Sequence, residues 1–139
     1  LKKLDKINKK RIYNWKYILS GLKKNINHKT WFEVQEPKKE IFHTYFWCPL
    51  RIISKKITID EVKKRLKSHG IEIRSRYKYP LYKQKIFQNL KQQKPQNYRK
   101  LYLENSEKLS GKIFGLPNHY KLTKKELDYI IKKVSNLFG

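Results

Sequence analysis

The 139-residue sequence has one cysteine and no methionine. A lone Cys48 excludes an internal disulfide and any cysteine-based zinc site. It fits a reducing compartment, so a cytoplasmic location is expected. The five glycines stand apart, at positions 21, 70, 111, 115 and 139, which excludes a glycine-rich phosphate loop. No apolar run approaches the roughly 18 residues of a transmembrane span, and no signal peptide is visible, so no membrane partner is expected. His28, His43, His69 and His119 are scattered without metal-ligand spacing, so no metal site is expected. His69, just before Gly70, reads as a last-turn helix cation. No nucleophile elbow or other catalytic motif occurs, and no residue qualifies as catalytic. The chain begins at Leu1. Three readings stay open: a fragment with an N-terminal portion missing, a trimmed chain, or the product of an unusual start.

Acidic residues are also scarce, 11 against 35 Lys and Arg, giving a net charge of +24. So large a charge calls for a polyanion, an acidic partner or a lysine-favouring genome. The basic residues are spread along the whole chain and are mostly lysine. A solvated lysine-rich surface needs no partner, so charge alone does not decide for nucleic acid. Hydrophobic residues make up 38% and aromatics 14%. That suffices for one packed domain with a modest core rather than a disordered tail. Cys48 lies in an aromatic run and reads as a buried, inert thiol.

Residues 1–25 read as a helix with Leu4, Ile7, Trp15, Ile18, Leu19 and Leu22 on its apolar face, and with Gly21 expected to weaken its last turn. A turn at 25–29 leads to a strand at 30–35 and a polar loop at 36–40. Residues 41–53, aromatic and β-branched, predict a central strand, with Pro49 at a bulge or edge because it lacks a ladder donor. Thr58 and Glu61 form a capping box with Ile57 and Val62 as staple. Ile59, Val62 and Leu66 then face inward, and Gly70 stops the helix. A strand at 71–74 follows, then an irregular basic-aromatic stretch at 74–85 with Pro80 in its turn. A short helix at 83–90, a loop at 91–98, a weak helix at 101–109 and a strand at 112–116 complete the middle. The closing stretch, 115–138, carries a second capping box, Thr123 with Glu126, stapled by Leu122 and Leu127. Leu127, Ile130, Ile131, Val134, Leu137 and Phe138 give its helix one apolar stripe. Together these predict one small α/β layer domain with mostly antiparallel strand pairing.

The strongest functional candidate is the run Arg74, Arg76, Tyr77, Lys78, Tyr79, Tyr82, Lys83. Cations interleaved with aromatics can hold phosphate and stack on a base. The competing reading is a basic surface loop whose tyrosines pack on the sheet.

Segments spread along the whole chain, in matching order, carry a resemblance. Leu116-Pro117, His119, Leu122-Thr123 and Glu126 are similar to the closing LP-x-H-x-x-L-T-x-E-E pattern of the DegT/DnrJ/StrS family of pyridoxal-phosphate-dependent sugar aminotransferases, with Lys125 for the first acid. Ser106 and Glu107 resemble the glutamate-serine segment before it, in altered order. Residues 70–84 resemble the family's GI-x-T-x-x-HYP-x-PLH-x-Q segment, with Arg76 and Tyr82 at its two histidine positions and Lys78 at a proline. Residues 57–70 and 1–22 resemble two of its helices.

The resemblance implies the small C-terminal domain of a type I aminotransferase fold: a mostly antiparallel small sheet with packed helices and a long N-terminal helix. Residues 1–29 would be the linking helix and residues 30–139 the small domain. The family's large domain carries the cofactor lysine, the acid at the pyridine nitrogen and the phosphate-binding groups, and none of these maps onto this sequence. Pyridoxal phosphate is thus implied for the complete family enzyme and not expected on this chain alone, which should not transaminate. A large-domain partner, or a missing N-terminal portion, is implied. Arg76, Tyr77, Tyr82 and Lys83 would face a nucleotide-sugar, the cations suiting pyrophosphate and the tyrosines hydroxyls or a base. The rival expectation, from charge, is a small nucleic-acid-binding protein with steeply salt-dependent affinity. A small domain without its partner should also expose apolar surface, with the first helix the expected place.

Overall fold

The computed structural model describes residues 2–93 and 103–138. The expected loop at 91–98 and the start of the expected helix at 101–109 therefore fall largely outside the described residues. Four short strands form an antiparallel sheet in the order β1-β2-β4-β3: β1 Phe32–Val34, β2 Pro49–Ile52, β3 Arg74–Ser75 and β4 Ile113–Gly115. Three long helices supply most of the remaining core: α1 Leu4–Asn25, α3 Ile59–Ser68 and α6 Lys124–Phe138. Shorter helices are α2 His28–Trp31, α4 Lys85–Gln93 and α5 Glu104–Leu109. The expected mixed, mostly antiparallel fold with a long first helix is the one observed.

Both capping boxes form. In α3 the Thr58 amide donates to Glu61 Oε2 at 2.8 Å, and the Glu61 amide donates to Thr58 Oγ1 at 3.3 Å. In α6 the matching distances are 2.7 and 3.3 Å between Thr123 and Glu126. Each box satisfies amides that a helix start otherwise leaves orphaned. The staple residues Ile57, Val62, Leu122 and Leu127 are all buried.

The helical stripes meet the sheet in one core. Trp15, Ile18 and Leu22 from α1, Val62 and Leu66 from α3, and Leu127, Val134 and Phe138 from α6 are buried with Phe32, Leu50 and Phe114. Phe138 sits 5.6 Å from the Trp31 ring and 5.7 Å, edge-on, from Phe32. The sheet alternates as a half-buried sheet must: Leu50 and Ile52 point inward, while Arg51 pairs with its cross-strand neighbour Glu33.

Four expectations need correction. Residues 41–53 do not form one long strand; only Pro49–Ile52 does. Residues 41–48 turn instead, with Tyr45 at φ 50°, and expose Ile41, Phe42 and Phe46. Aromatic content raises strand propensity only where a pleated surface receives the side chains. Pro49 occupies neither a bulge nor an edge but the first position of a central strand, where the missing donor is tolerated. The first strand starts at Phe32 rather than Thr30, because Thr30 closes a local turn onto the Asn27 carbonyl. The third strand is Arg74–Ser75 rather than 71–74, although Ile71 and Ile73 are still buried on either side of exposed Glu72.

Gly21 also has a different role from the one expected. A Cβ there would lie 2.6 Å from Ile131 Cδ1 and 2.9 Å from its Cγ2. The glycine lets α1 approach α6 closely rather than fraying the last turn, and α1 runs on to Asn25. The two helices are also joined by the Tyr17 hydroxyl, which donates to Asp128 at 2.6 Å. Because α1 buries Trp15, Ile18 and Leu22, the first helix is not the main exposed apolar surface. Phe42 and Phe46 expose more than any α1 apolar side chain.

Candidate functional site

The turn between β4 and α6 brings three distant segments together. Gly115 closes β4 against Trp47, where any Cβ would lie 2.0 Å from the indole Nε1, so only glycine fits without displacing that ring. Three residues on, the Asn118 amide nitrogen reaches the Tyr45 carbonyl at 2.8 Å, the Cys48 sulfur at 3.0 Å and the Arg11 carbonyl at 3.2 Å. One side chain thus ties α1, the 41–48 loop and the closing stretch. Asn14 adds a second tie, its amide nitrogen donating to the His119 carbonyl at 3.0 Å.

Beside this junction lies a cleft of about 560 Å³. Its apolar floor includes Ile71, Leu116 and Ile130, and its polar wall carries Arg11, Glu72, Arg74, His119 and Glu126. The Arg11 guanidinium lies 5.3 Å from the Phe46 ring centroid, a cation–π distance. Arg11 Nε and Asn118 Oδ1 are buried here without a protein hydrogen-bond partner. Cys48 is buried beneath. Burial pushes its thiol up to about 12, and the Asn118 amide and the Arg11 charge only partly offset this. It is a buried, free thiol, as expected.

A second cluster forms where residues 76–83 meet α5. The Tyr82 hydroxyl donates to Glu107, and Lys83 Nζ lies 2.6 Å from Glu107 Oε2. The carboxylate is held below its usual range by the Lys83 and Tyr82 hydrogen bonds, and the same contact raises the Tyr82 hydroxyl. Tyr77 takes a positive φ of 59°, and its carbonyl accepts from the Gly111 amide at 3.0 Å and the Ser110 hydroxyl at 3.1 Å. Its ring meets Trp47 edge-on at 6.3 Å. Arg76 is exposed.

The four residues singled out from sequence therefore divide. Tyr82 and Lys83 converge on Glu107, Tyr77 leans on Trp47, and none of the four lines the 560 Å³ cleft. Arg74, from the same run, does line it. Sequence reading passed over Asn118 and Arg11. Asn118 is a variable position within the closing motif, and its partners lie 70 to 107 residues away. Among the described residues, no group of three or more His, Cys, Asp or Glu could hold a metal, and no helix is long and apolar enough to cross a membrane.

The family model for the DegT/DnrJ/EryC1/StrS aminotransferase family matches residues 1–135. No curated protein matches the sequence. Among solved structures, an aminotransferase from Psychrobacter cryohalolentis superposes with a TM-score of 0.79 at 18% identity, covering 99% of this chain and 35% of its own. PseC from Helicobacter pylori, an aminotransferase involved in the biosynthesis of pseudoaminic acid, gives 0.77 at 19%, covering 99% and 34%. A DegT DnrJ EryC1 StrS aminotransferase from Brucella abortus gives 0.75 at 22%, covering 100% and 33%. The chain spans about a third of the length of these structures.

Proposed function

Since the chain belongs to the DegT/DnrJ/EryC1/StrS aminotransferase family, we propose that it is the small C-terminal domain of a pyridoxal-phosphate-dependent aminotransferase acting on a keto-sugar nucleotide, and that it is inactive by itself. The observation that carries this reading is the family match over residues 1–135, joined to a fold covering about a third of each solved relative. The sugar part draws on the family resemblance and on a further solved relative described as a sugar aminotransferase, CalS13 from Micromonospora echinospora.

The cofactor supplies an electron sink, and the protein must hold and tune it. On this reading that task falls to a large domain. The cleft offers Arg11, Arg74, Glu72 and His119 but no lysine amine to join the cofactor. No chemical step is therefore assigned to this chain. Its part is to complete a substrate pocket whose cofactor side lies on a large domain. On this reading Arg76 and Lys83 present charge to a pyrophosphate, and Tyr77 and Tyr82 present hydroxyl and ring faces to sugar or base. Glu107 orients two of the four, Tyr82 and Lys83.

Three measurements test the proposal. The chain as purified should show no borohydride-reducible cofactor absorbance band; a stoichiometric band would overturn the expectation that it holds no cofactor by itself. Co-expression with a polypeptide supplying the family's large domain should restore amino transfer to a keto-sugar nucleotide. Arg76→Ala in that complex should raise KM for the nucleotide-sugar with little change in kcat.

A further inference from the structure

Residues on two helices that pack side by side form a surface that shares only Tyr129 with the cleft. In α1, Lys6, Lys9, Tyr13, Lys16, Ser20 and Lys24 recur at steps of three and four and are all exposed. They lie opposite the buried stripe of Trp15, Ile18 and Leu22 and so share the outer face of the helix. In α6, Lys125, Asp128, Tyr129, Lys132 and Asn136 repeat the pattern opposite Leu127, Ile131 and Val134. The Tyr17–Asp128 hydrogen bond and the Gly21–Ile131 approach hold α1 and α6 together. The Tyr129 hydroxyl continues the surface to α3 by donating to the His69 carbonyl at 3.1 Å.

Among the described residues, the four ion pairs involve none of these lysines. Seven of the 11 acids are engaged inside the fold: four in ion pairs, two in capping boxes, and Asp128 by Tyr17. Asp128, the one acid in the two series, is thus already taken. Two exposed aromatics stand among the lysines, Tyr13 at 50% and Tyr129 at 44% exposure. Tyr13 stacks on Tyr17 at 5.9 Å and lies 4.9 Å from Lys10 Nζ, and Tyr129 lies 5.5 Å from Lys133 Nζ.

We propose that this outer α1–α6 face binds single-stranded nucleic acid, with its lysines on successive phosphates and Tyr13 and Tyr129 against base faces. Charge complementarity selects a polyanion, and the exposed rings select unpaired bases over a duplex, whose bases are stacked away. The inference goes beyond the aminotransferase reading and does not depend on it, since Arg76, Tyr77, Tyr82 and Lys83 belong to neither helix.

The test is fluorescence anisotropy of a labelled 20-nucleotide oligo(dT) or oligo(U) titrated with the chain. Engaging about five lysines gives a log–log salt slope of about −3.5, so affinity should fall about 100-fold between 50 and 200 mM salt. Lys16→Glu/Lys125→Glu/Lys132→Glu should weaken binding at least tenfold more than Lys38→Glu/Lys39→Glu/Lys55→Glu, which makes the same charge change off these helices. Tyr13→Ala/Tyr129→Ala should lose about tenfold with the salt slope unchanged. Circular dichroism checks that each variant folds. No binding at 50 mM salt, or equal loss in the two charge-reversal variants, would overturn the proposal. Equal affinity for a 20-base-pair duplex, or for vesicles of phosphatidylserine and phosphatidylcholine, would overturn the assignment to single strands.

Discussion

The closing helix α6 and the aromatic run at 41–48 both carry several large apolar side chains, and those side chains end in opposite places. In α6 they fall every three or four residues behind a capping box, and Leu127, Ile130, Ile131, Val134 and Phe138 are buried. In the loop Ile41, Phe42, Tyr45 and Phe46 also recur at steps of three and four, but Lys38, Lys39 and Glu40 before them offer no capping box, and Phe42 and Phe46 stand in solvent. Apolar content says that surface should be buried; spacing and end signals say which element will bury it. Without a helix-start signal the backbone of 41–48 is set instead by single tethers: Asn118 to Tyr45 and Cys48, and the Tyr45 amide to His43 Nδ1 at 3.0 Å. Burying a phenylalanine is worth about 1.5–3 kcal/mol, a gain that Phe42 and Phe46 do not realise within this chain.

The sharpest way to break this comparison is one substitution made in both places. Phe138, fully buried between Trp31 and Phe32, should cost about 3–5 kcal/mol when changed to alanine. Phe42, 75% exposed, should change stability by no more than about 0.5 kcal/mol. Urea unfolding of the two variants measures both, and similar midpoints would end the distinction. A smaller effect probes the helix contact itself. Gly21→Ala gains helix propensity of about 1 kcal/mol but drives a methyl into Ile131, and overpacking of this kind costs about 1–3 kcal/mol. Net destabilisation of about 1 kcal/mol is expected. Adding Ile131→Val, which removes the nearest atom, should make the double variant more stable than the two single losses add to.

Both outcomes bear on what was legible beforehand. The capping boxes were readable because each is a four-residue signal whose partners are neighbours in sequence. The stripes of α1, α3 and α6 were readable because burial follows a 3.6-residue period. The strand at 41–53 was overread, since β-propensity reports the surface a side chain meets, and here most of that surface is solvent. Gly21 was misjudged because its partner Ile131 lies 110 positions away. The candidate site was legible to a lesser degree. The basic-aromatic run pointed to Arg74, which lines the cleft, and to Tyr82 and Lys83, which converge on Glu107. Arg11 and Asn118 carried no local signal, because the junction they make depends on tertiary closure.

The smaller tests turn on the device α3 and α6 share. Thr58→Ala and Thr123→Ala should each cost about 1 kcal/mol, the usual worth of an N-cap. The Thr123 variant should also loosen the turn that carries Asn118 and His119, and hydrogen exchange at residues 115–122 would report it. A large cost at one cap alone would show that the two boxes are not equivalent in context.

The smallest expected effect is the acid response of the same boxes. Hydrogen bonds from the Thr58 and Thr123 backbone and side chains hold Glu61 and Glu126 below the ordinary carboxylate range. A depressed folded value means stability that is present above the unfolded value, about 4.3, and lost as pH falls through the folded one. Acid also raises the net positive charge, and self-repulsion would destabilise the fold by a separate route. Two controls separate them. Glu61→Gln and Glu126→Gln keep the size of the capping side chain and remove its titration. Their melting temperatures should lie below wild type at pH 6 and converge on it as the pH falls from about 4.3 through the lowered folded values. Raising salt to 0.5 M screens the repulsion and should lift all three proteins at low pH while leaving the convergence in place. A difference from wild type that stays constant across that range would mean that the carboxylates do not accept the capping hydrogen bonds in their charged form.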